Sequence, residues 1–453
     1  MLCPQCNKTV ENDAVFCGNC GTSLTSHQSR DLATISDKTV PDISTNNNNA
    51  SPVNSGYGSP RSQRATPQAA FLQTPPGLPE TSRHRDTPLL PSRPARNNSR
   101  RNILIVLLVL LLVAGGTVGI TFFLKNNNSN TFSAAGTPTG QVAFFDNQNG
   151  SPGHTDALKI AVEGLSAPSS GFQYNAWLIN DQSEQVTPLG TLIKNGQKFS
   201  LSFTGSPGRR QQNSNLLGLG NRLEITLEQG QVSLPTGKVI LSGTFPPRAF
   251  IHIRHLLFSF PTTPGNIGLL VGLMNQAQTL NAQALVLQNI AANGNETAIQ
   301  CAAQSIIDIS EGMHGSHYQP LAAQCASQNI TQMGDGFGIL GQGYATTAAA
   351  HASLAATQPD STNNIRLHAG HVEIATNNIQ GWVTTVDQDA LKLLANPSDT
   401  SVIQEIVNLS DHAYHGIDTN GDEQIDPVAG EAGAITAYIH GQLMAGLPLT
   451  SNG

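Results

Sequence analysis

The sequence predicts a multidomain protein: a small cysteine-rich head, a disordered linker, one transmembrane helix, an all-β sandwich and an all-α helical bundle. Three observations predict it. Residues 103–124, ILIVLLVLLLVAGGTVGITFFL, carry no charge, and at 1.5 Å per residue they reach about 33 Å, enough to cross a hydrocarbon core. From 138 to 262 short apolar runs alternate with turn residues. From 263 to 450 the chain turns to Ala, Leu, Gln and Asn with helical spacing.

The head, MLCPQCNKTVENDAVFCGNCGTSL, holds Cys3, Cys6, Cys17 and Cys20 in two Cys-x2-Cys pairs. Each pair turns two thiolates toward one ion and completes a tetrahedral four-sulfur site. Pro4, Gly18 and Gly21 suit the tight turns. So short a segment cannot bury a useful core, so bound metal supplies most of its folding energy. Residues 1–24 resemble the zinc-ribbon domain found at the start of many prokaryotic membrane proteins. The resemblance implies structural zinc. A closed four-thiolate site has no open position for catalysis, and docking to a cytosolic protein partner is the expected use. Lys8 is the only base in this segment, and the formal charge of −7 argues against a general nucleic-acid binder.

Residues 25–101 are rich in Ser, Thr, Pro, Asn and Arg, with five Ser-Pro or Thr-Pro pairs and no sustained apolar period. Disorder is expected there. Arg83, Arg85, Arg93, Arg96, Arg100 and Arg101 precede the apolar run, and only Lys125 follows closely. The transmembrane helix is placed at 102–124, with the N-terminus cytosolic and the remainder extracytoplasmic. Residues 125–137 form a short outer linker. Gly115-x3-Gly119 within the span is a weak helix-packing signal. A homodimer would be one way for a lone span to transmit a signal.

The β region, 138–262, shows candidate strands at 141–146, 157–164, 172–180, 185–194, 198–204, 222–228 and 238–245, separated by turns such as Asn195-Gly196. Seven strands suggest a two-sheet sandwich, with Trp177 in its core. FQYNAWLIN, the Pro-Leu-Gly at 188–190 and NRLEITLEQGQVSLPTGKVILSGTF resemble the C-terminal domain of anti-sigma-K factors, with Trp177, Gly190, Glu228, Pro235, Thr236 and Gly237 at matching places. The resemblance implies a membrane-tethered regulator or sensor domain in signal transduction. It does not imply sigma-factor binding, which belongs in that family to a separate cytosolic domain with a His-x3-Cys-x2-Cys motif.

The helical region, 263–450, has expected helices at 266–293, 296–314, 337–357, 361–395, 399–416 and 430–445, joined by short connections into an antiparallel bundle. Ten of the 13 histidines fall at or after residue 252, and eight form His-x2-His pairs at 252/255, 314/317, 368/371 and 412/415. Residues three apart share a helix face. Asp308, Glu311 and His314 continue one stripe, so Glu311, His314, His317, His368 and His371 are candidate transition-metal ligands. The alternative is structural, with helix-end histidines facing the dipole and satisfied by hydrogen bonds. Cys301 and Cys325 are the two cysteines beyond the span, either bonded or two buried thiols.

The segment IDTNGDEQIDPVAGE places Asp418, Asn420, Asp422, Gln424 and Asp426 at alternating positions of an EF-hand-like calcium loop, 418–431. Glu423 stands where glycine is usual. Ala429 occupies position 12, so Glu431 would close the site. One such loop staples two helices rather than sensing calcium transients. Gly-x-Ser-x-Gly, phosphate-loop, His-Glu-x2-His and haem-attachment motifs do not occur, and no enzyme is expected. The leading expectation is a single-pass bacterial membrane regulator or sensor with a zinc ribbon and bound calcium. Two others stand beside it: an extracytoplasmic transition-metal protein for redox or storage, and a structural or adhesive envelope protein.

Overall fold

In the computed structural model the described residues are 137–147, 154–204 and 215–451. They belong to one compact unit. The ribbon, the linker and the span expected at 1–24, 25–101 and 102–124 lie outside them. Among the described residues no helix is long and apolar enough to cross a membrane.

Nine strands form one sheet: β1 (Thr139–Phe145), β2 (Ala157–Glu163), β3 (Phe172–Asn180), β4 (Gln185–Thr191), β5 (Ile193–Asn195), β6 (Lys198–Thr204), β7 (Arg222–Gln229), β8 (Lys238–Thr244) and β9 (Leu447–Thr450). Their order is β4-β3-β7-β8-β9-β1-β2-β6-β5. β4 and β5 stand at opposite edges, yet only Leu192 separates them in sequence. The sheet must therefore curl until its edges approach, with Leu192 buried and its N–H donated to the Tyr174 carbonyl at 2.8 Å. The two stacked sheets expected from the sequence are thus replaced by one continuous, nearly closed sheet.

Alternation decides its inner face. Val142 and Phe144 of β1, and Leu158, Ile160 and Val162 of β2, are buried. Trp177, Thr226, Glu228 and Thr236 are wired together. The Trp177 indole donates to Thr226 Oγ1 (2.8 Å), the Thr226 hydroxyl to Glu228 Oε1 (2.6 Å), and the Thr236 hydroxyl to Glu228 Oε2 (2.9 Å). Burial would raise the Glu228 carboxyl, but bonds from Thr226, Gly237 and Thr236 outweigh it and hold the carboxyl below its usual range. A Cβ on Gly237 would meet the Leu227 carbonyl oxygen at 1.9 Å, so only glycine closes this turn.

The sheet and the helices interleave. α1 (Leu216–Leu219) is a single turn before β7, and α2 (Pro247–Leu257) follows β8 within the stretch the sequence assigned to strands. Proline at its first position starts α2, and Ala249, Phe250, Ile253, Leu256 and Leu257 form its buried stripe. There follow α3 (Leu269–Ala291), α4 (Glu296–Glu311), α5 (Ala323–Ser327), α6 (Tyr344–Thr357), α7 (Asn363–Ala395), α8 (Ile403–His415) and α9 (Ala434–Met444). α9 runs almost directly into β9, which pairs antiparallel with β1 and meets β8 at Ser242 and Thr450. Gly140 and Gly243 make room for Leu447 and Leu449 of this strand. Helices α2 to α9 are therefore an insertion between β8 and β9.

α3 is the central helix, packed against α4, α6, α8 and α9. Gly272 on α3 admits the buried ring of Tyr344, whose hydroxyl donates to Asp335 Oδ2 at 2.6 Å. α6 and α7 form a hairpin, with α2 against α6 and α9 against α7. The connection 312–343 is longer than the short links expected for a bundle. It is tied down by a disulfide from Cys301 on α4 to Cys325 on α5, with a Cα–Cα distance of 5.6 Å.

Candidate metal centres

The helix packing brings together two three-histidine clusters of the same design. His252 and His255 share one face of α2 and meet His351 of α6. His368 and His371 share one face of α7 and meet His440 of α9. In the first triad, His351 Nδ1 lies 3.2 Å from His252 Nδ1 and 3.3 Å from His255 Nδ1. In the second, His440 Nδ1 lies 2.9 Å from His368 Nδ1 and 3.2 Å from His371 Nδ1. In each triad one nitrogen lies 2.9–3.3 Å from the other two, and all three lie within 4.8 Å of one another, which suits an ion at about 2.0 Å, the usual metal–imidazole distance.

Each contact lies within hydrogen-bond distance, and the same convergence suits a shared ion. A neutral ring nitrogen offers one proton or one lone pair. His351 Nδ1 and His440 Nδ1 each face two other ring nitrogens, so each can satisfy only one of them. A proton does not resolve the conflict, because burial and the neighbouring rings disfavour imidazolium. His255 and His368 are pushed down to about 4 and His440 to about 3, and His371 is lowered as well, with burial the largest cause in each case. Neutral imidazoles gathered in this way could hold a metal ion.

The positions follow from the local folds. Three-residue spacing on a helix aligns each His-x2-His pair. His351 lies six residues before the end of α6, and His368 five residues after the start of α7. Both triads thus sit within about 9 Å, along the helix axes, of the α6–α7 connection. The Gln358 amide in that connection faces His252 Nε2 at 3.3 Å. Turned oxygen-first, it accepts the Nε2 proton and directs the Nδ1 lone pair to the ion.

A third cluster, Glu311, His317 and Asp387, joins the end of α4 to the middle of α7. His317 Nδ1 is 2.6 Å from Glu311 Oε1, and the His317 backbone N–H donates to Glu311 Oε2 at 2.7 Å. The Glu311 hydrogen bond raises the His317 ring. Burial, reinforced by the Glu311 charge, raises Asp387 to about 7.

The single candidate set expected from the sequence is therefore divided. His368 and His371 belong to one centre, and Glu311 and His317 to another. His314 joins none and is exposed. The stripe through Asp308, Glu311 and His314 breaks because α4 ends at Glu311. Gly312 turns to φ +70, and a Cβ there would meet Gly338 N at 2.6 Å. Asp308 is occupied with Gln304, Gln319 and Gln332. The pair 412/415 is structural: His415 Nδ1 is 2.7 Å from Asp411 Oδ1, and the His412 ring lies against Trp382. Sequence reading noted the 252/255 pair without assigning it, and missed His351, His440 and Asp387.

The loop 418–431 joins α8 to α9. Its side chains cap its own backbone: Asp418 accepts from Gly421 N (2.6 Å) and Glu423 N (2.8 Å), Asn420 from Asp422 N, and Asp422 from Gln424 N. Glu431 is 1% exposed and accepts from the Thr419 and Asp426 N–H groups. Glu423, where glycine is usual, takes φ +68. Asp426 lies 3.4 Å from Asn420 Nδ2. This loop is not among the three described clusters whose ligand atoms lie within 4.8 Å of one another.

A family model of the zinc-ribbon domain matches residues 2–24, which include all four N-terminal cysteines. The chain thus opens with a zinc-ribbon domain, and structural zinc goes with it. No curated protein and no solved structure matches the chain.

Proposed function

We propose that this chain is a single-pass membrane protein whose outer region binds transition-metal ions and reports them to a cytosolic partner held by the zinc ribbon. The twin histidine triads carry this reading. The uncharged run at 103–124 and the arginines before it support the span and its orientation. The likeness of 140–246 to anti-sigma-K outer domains supports a regulatory role. Relay through the fold follows from connectivity. A metal in the first triad fastens α2, which continues β8, to α6. A metal in the second fastens α9, which leads into β9, to α7. Calcium in the 418–431 loop, closed by Asp418, Asn420, Asp422, Gln424, Asp426 and Glu431, would hold α8 and α9 in register for the second triad.

Imidazole suits zinc, copper, nickel and iron. The test is metal analysis of the full chain purified in mild detergent. Two equivalents beyond the ribbon's own zinc are expected. His351→Ala and His440→Ala should each remove one. Unchanged metal content in both variants would refute the reading. A second reading, metal storage, is favoured by the presence of two like centres in one chain. Capture of partners by the ribbon that is indifferent to metal loading would select it over sensing.

A further inference from the structure

The two triads share ligands and spacing but differ in access. In the first, His252 and His351 are 0% exposed and only His255 is half-buried, and the buried Phe260 ring stands near-perpendicular to His255 at 5.4 Å and to His351 at 5.0 Å. In the second, only His368 is buried; His371 and His440 keep part of their surface in solvent. Leu367, one turn before His371 on the same face of α7, is 57% exposed, so this face opens outward.

We infer that the second triad, His368, His371 and His440, holds its metal with an exchangeable fourth position that takes water or a small anion, while the first is closed to such ligands. The inference rests on the reading of the triads as metal centres. Three imidazoles leave a tetrahedral ion one position short. Neither triad brings in a carboxylate within 4.8 Å among the described residues, so a divalent ion there keeps its full charge and attracts an anion. At the first triad Phe260 covers the ligand rings with an apolar edge, which cannot stabilise an incoming anion. At the second, solvent reaches two of the three rings, against one at the first. The ligand class is a small monodentate Lewis base, of which azide is the probe and hydroxide the counterpart in water.

The test uses the full chain in detergent, stripped and reloaded with cobalt(II), whose visible bands report coordination. Azide should change those bands saturably in the wild type and in His351→Gln. In His440→Gln the response should vanish, or its half-saturation rise at least tenfold. His371→Gln, checked for folding by circular dichroism, guards against a variant that merely unfolds. A wild type that holds cobalt at both triads and ignores azide would overturn the inference. So would a response that survives His440→Gln and is lost in His351→Gln. Cobalt confined to the ribbon cysteines would overturn the metal-centre reading itself.

Discussion

Replacing His351 with leucine separates a metal centre from a satisfied histidine core. His351 is fully buried on α6, and its Nδ1 faces both His252 and His255. If the three rings were a hydrogen-bond network, leucine would remove the one ring-to-ring bond that His351 Nδ1 can make, at roughly 1–3 kcal/mol. The loss would be about 1–3 kcal/mol, lowering the melting temperature by about 2–6 °C at about 2 °C per kcal/mol for a large domain. If the rings converge for an ion, the metal-free protein already bears a clash of lone pairs. Leucine relieves that clash, is similar in size and favours the helix slightly. The metal-free His351→Leu protein should then melt within about 2 °C of wild type. Metal at a hundredfold excess over its dissociation constant adds about 2.7 kcal/mol per site to the wild type, and the variant should lack one site's share. The assay is a thermal melt of both proteins with and without metal. A metal-free drop of more than about 2 °C, with the metal-induced gain intact, would refute the reasoning.

Acid should weaken the metal-free protein. His255, His368 and His440 bind protons more readily unfolded, near pH 6.5, than folded, near 4 or below. Stability is therefore full above about pH 6.5 and falls as pH drops toward 4, by about 3 kcal/mol for one ring lowered to about 4; urea midpoints at pH 7.5 and 4.5 measure it. Removing the disulfide by Cys301→Ala with Cys325→Ala opens a loop with a sequence separation of 24, which should cost about 3 kcal/mol by chain entropy, read from the same melts. Calcium should raise the melting temperature of the wild type and leave that of Asp418→Ala with Glu431→Gln unmoved. Gly272→Ala should lose several kcal/mol, because the new Cβ would lie 1.9 Å from the Tyr344 ring.

The sequence made half of each triad legible. Residues 252/255 and 368/371 announce themselves by spacing, because helical geometry is local. His351 and His440 are single residues on helices 96 and 69 positions away from His255 and His371, and only packing chooses them. A trace of His351 was visible, since YATTAAAHASLAAT is a helix of small residues that lets a neighbour approach closely. The helices were legible because their apolar periods are long. β9 was not: LPLT has four residues and a proline, and its partners β1 and β8 lie far back in the chain. Gly312 shows the opposite failure. The Glu311–His314 stripe obeyed helical spacing, but the helix stopped before His314 was reached.

The strand β9 also sets an order of assembly. β1 and β8 cannot be joined until residues 447–450 leave the ribosome, by which time every helix of the insertion has been made. Until then both strands present unpaired edges, the usual templates for mispairing between chains. β9, delivered by α9, is therefore the latch that joins β1 to β8 and completes the sheet. A chain cut after Met444 would keep both triads and the central helix yet leave the sheet unlatched, so its fate would be decided by aggregation rather than by loss of metal ligands.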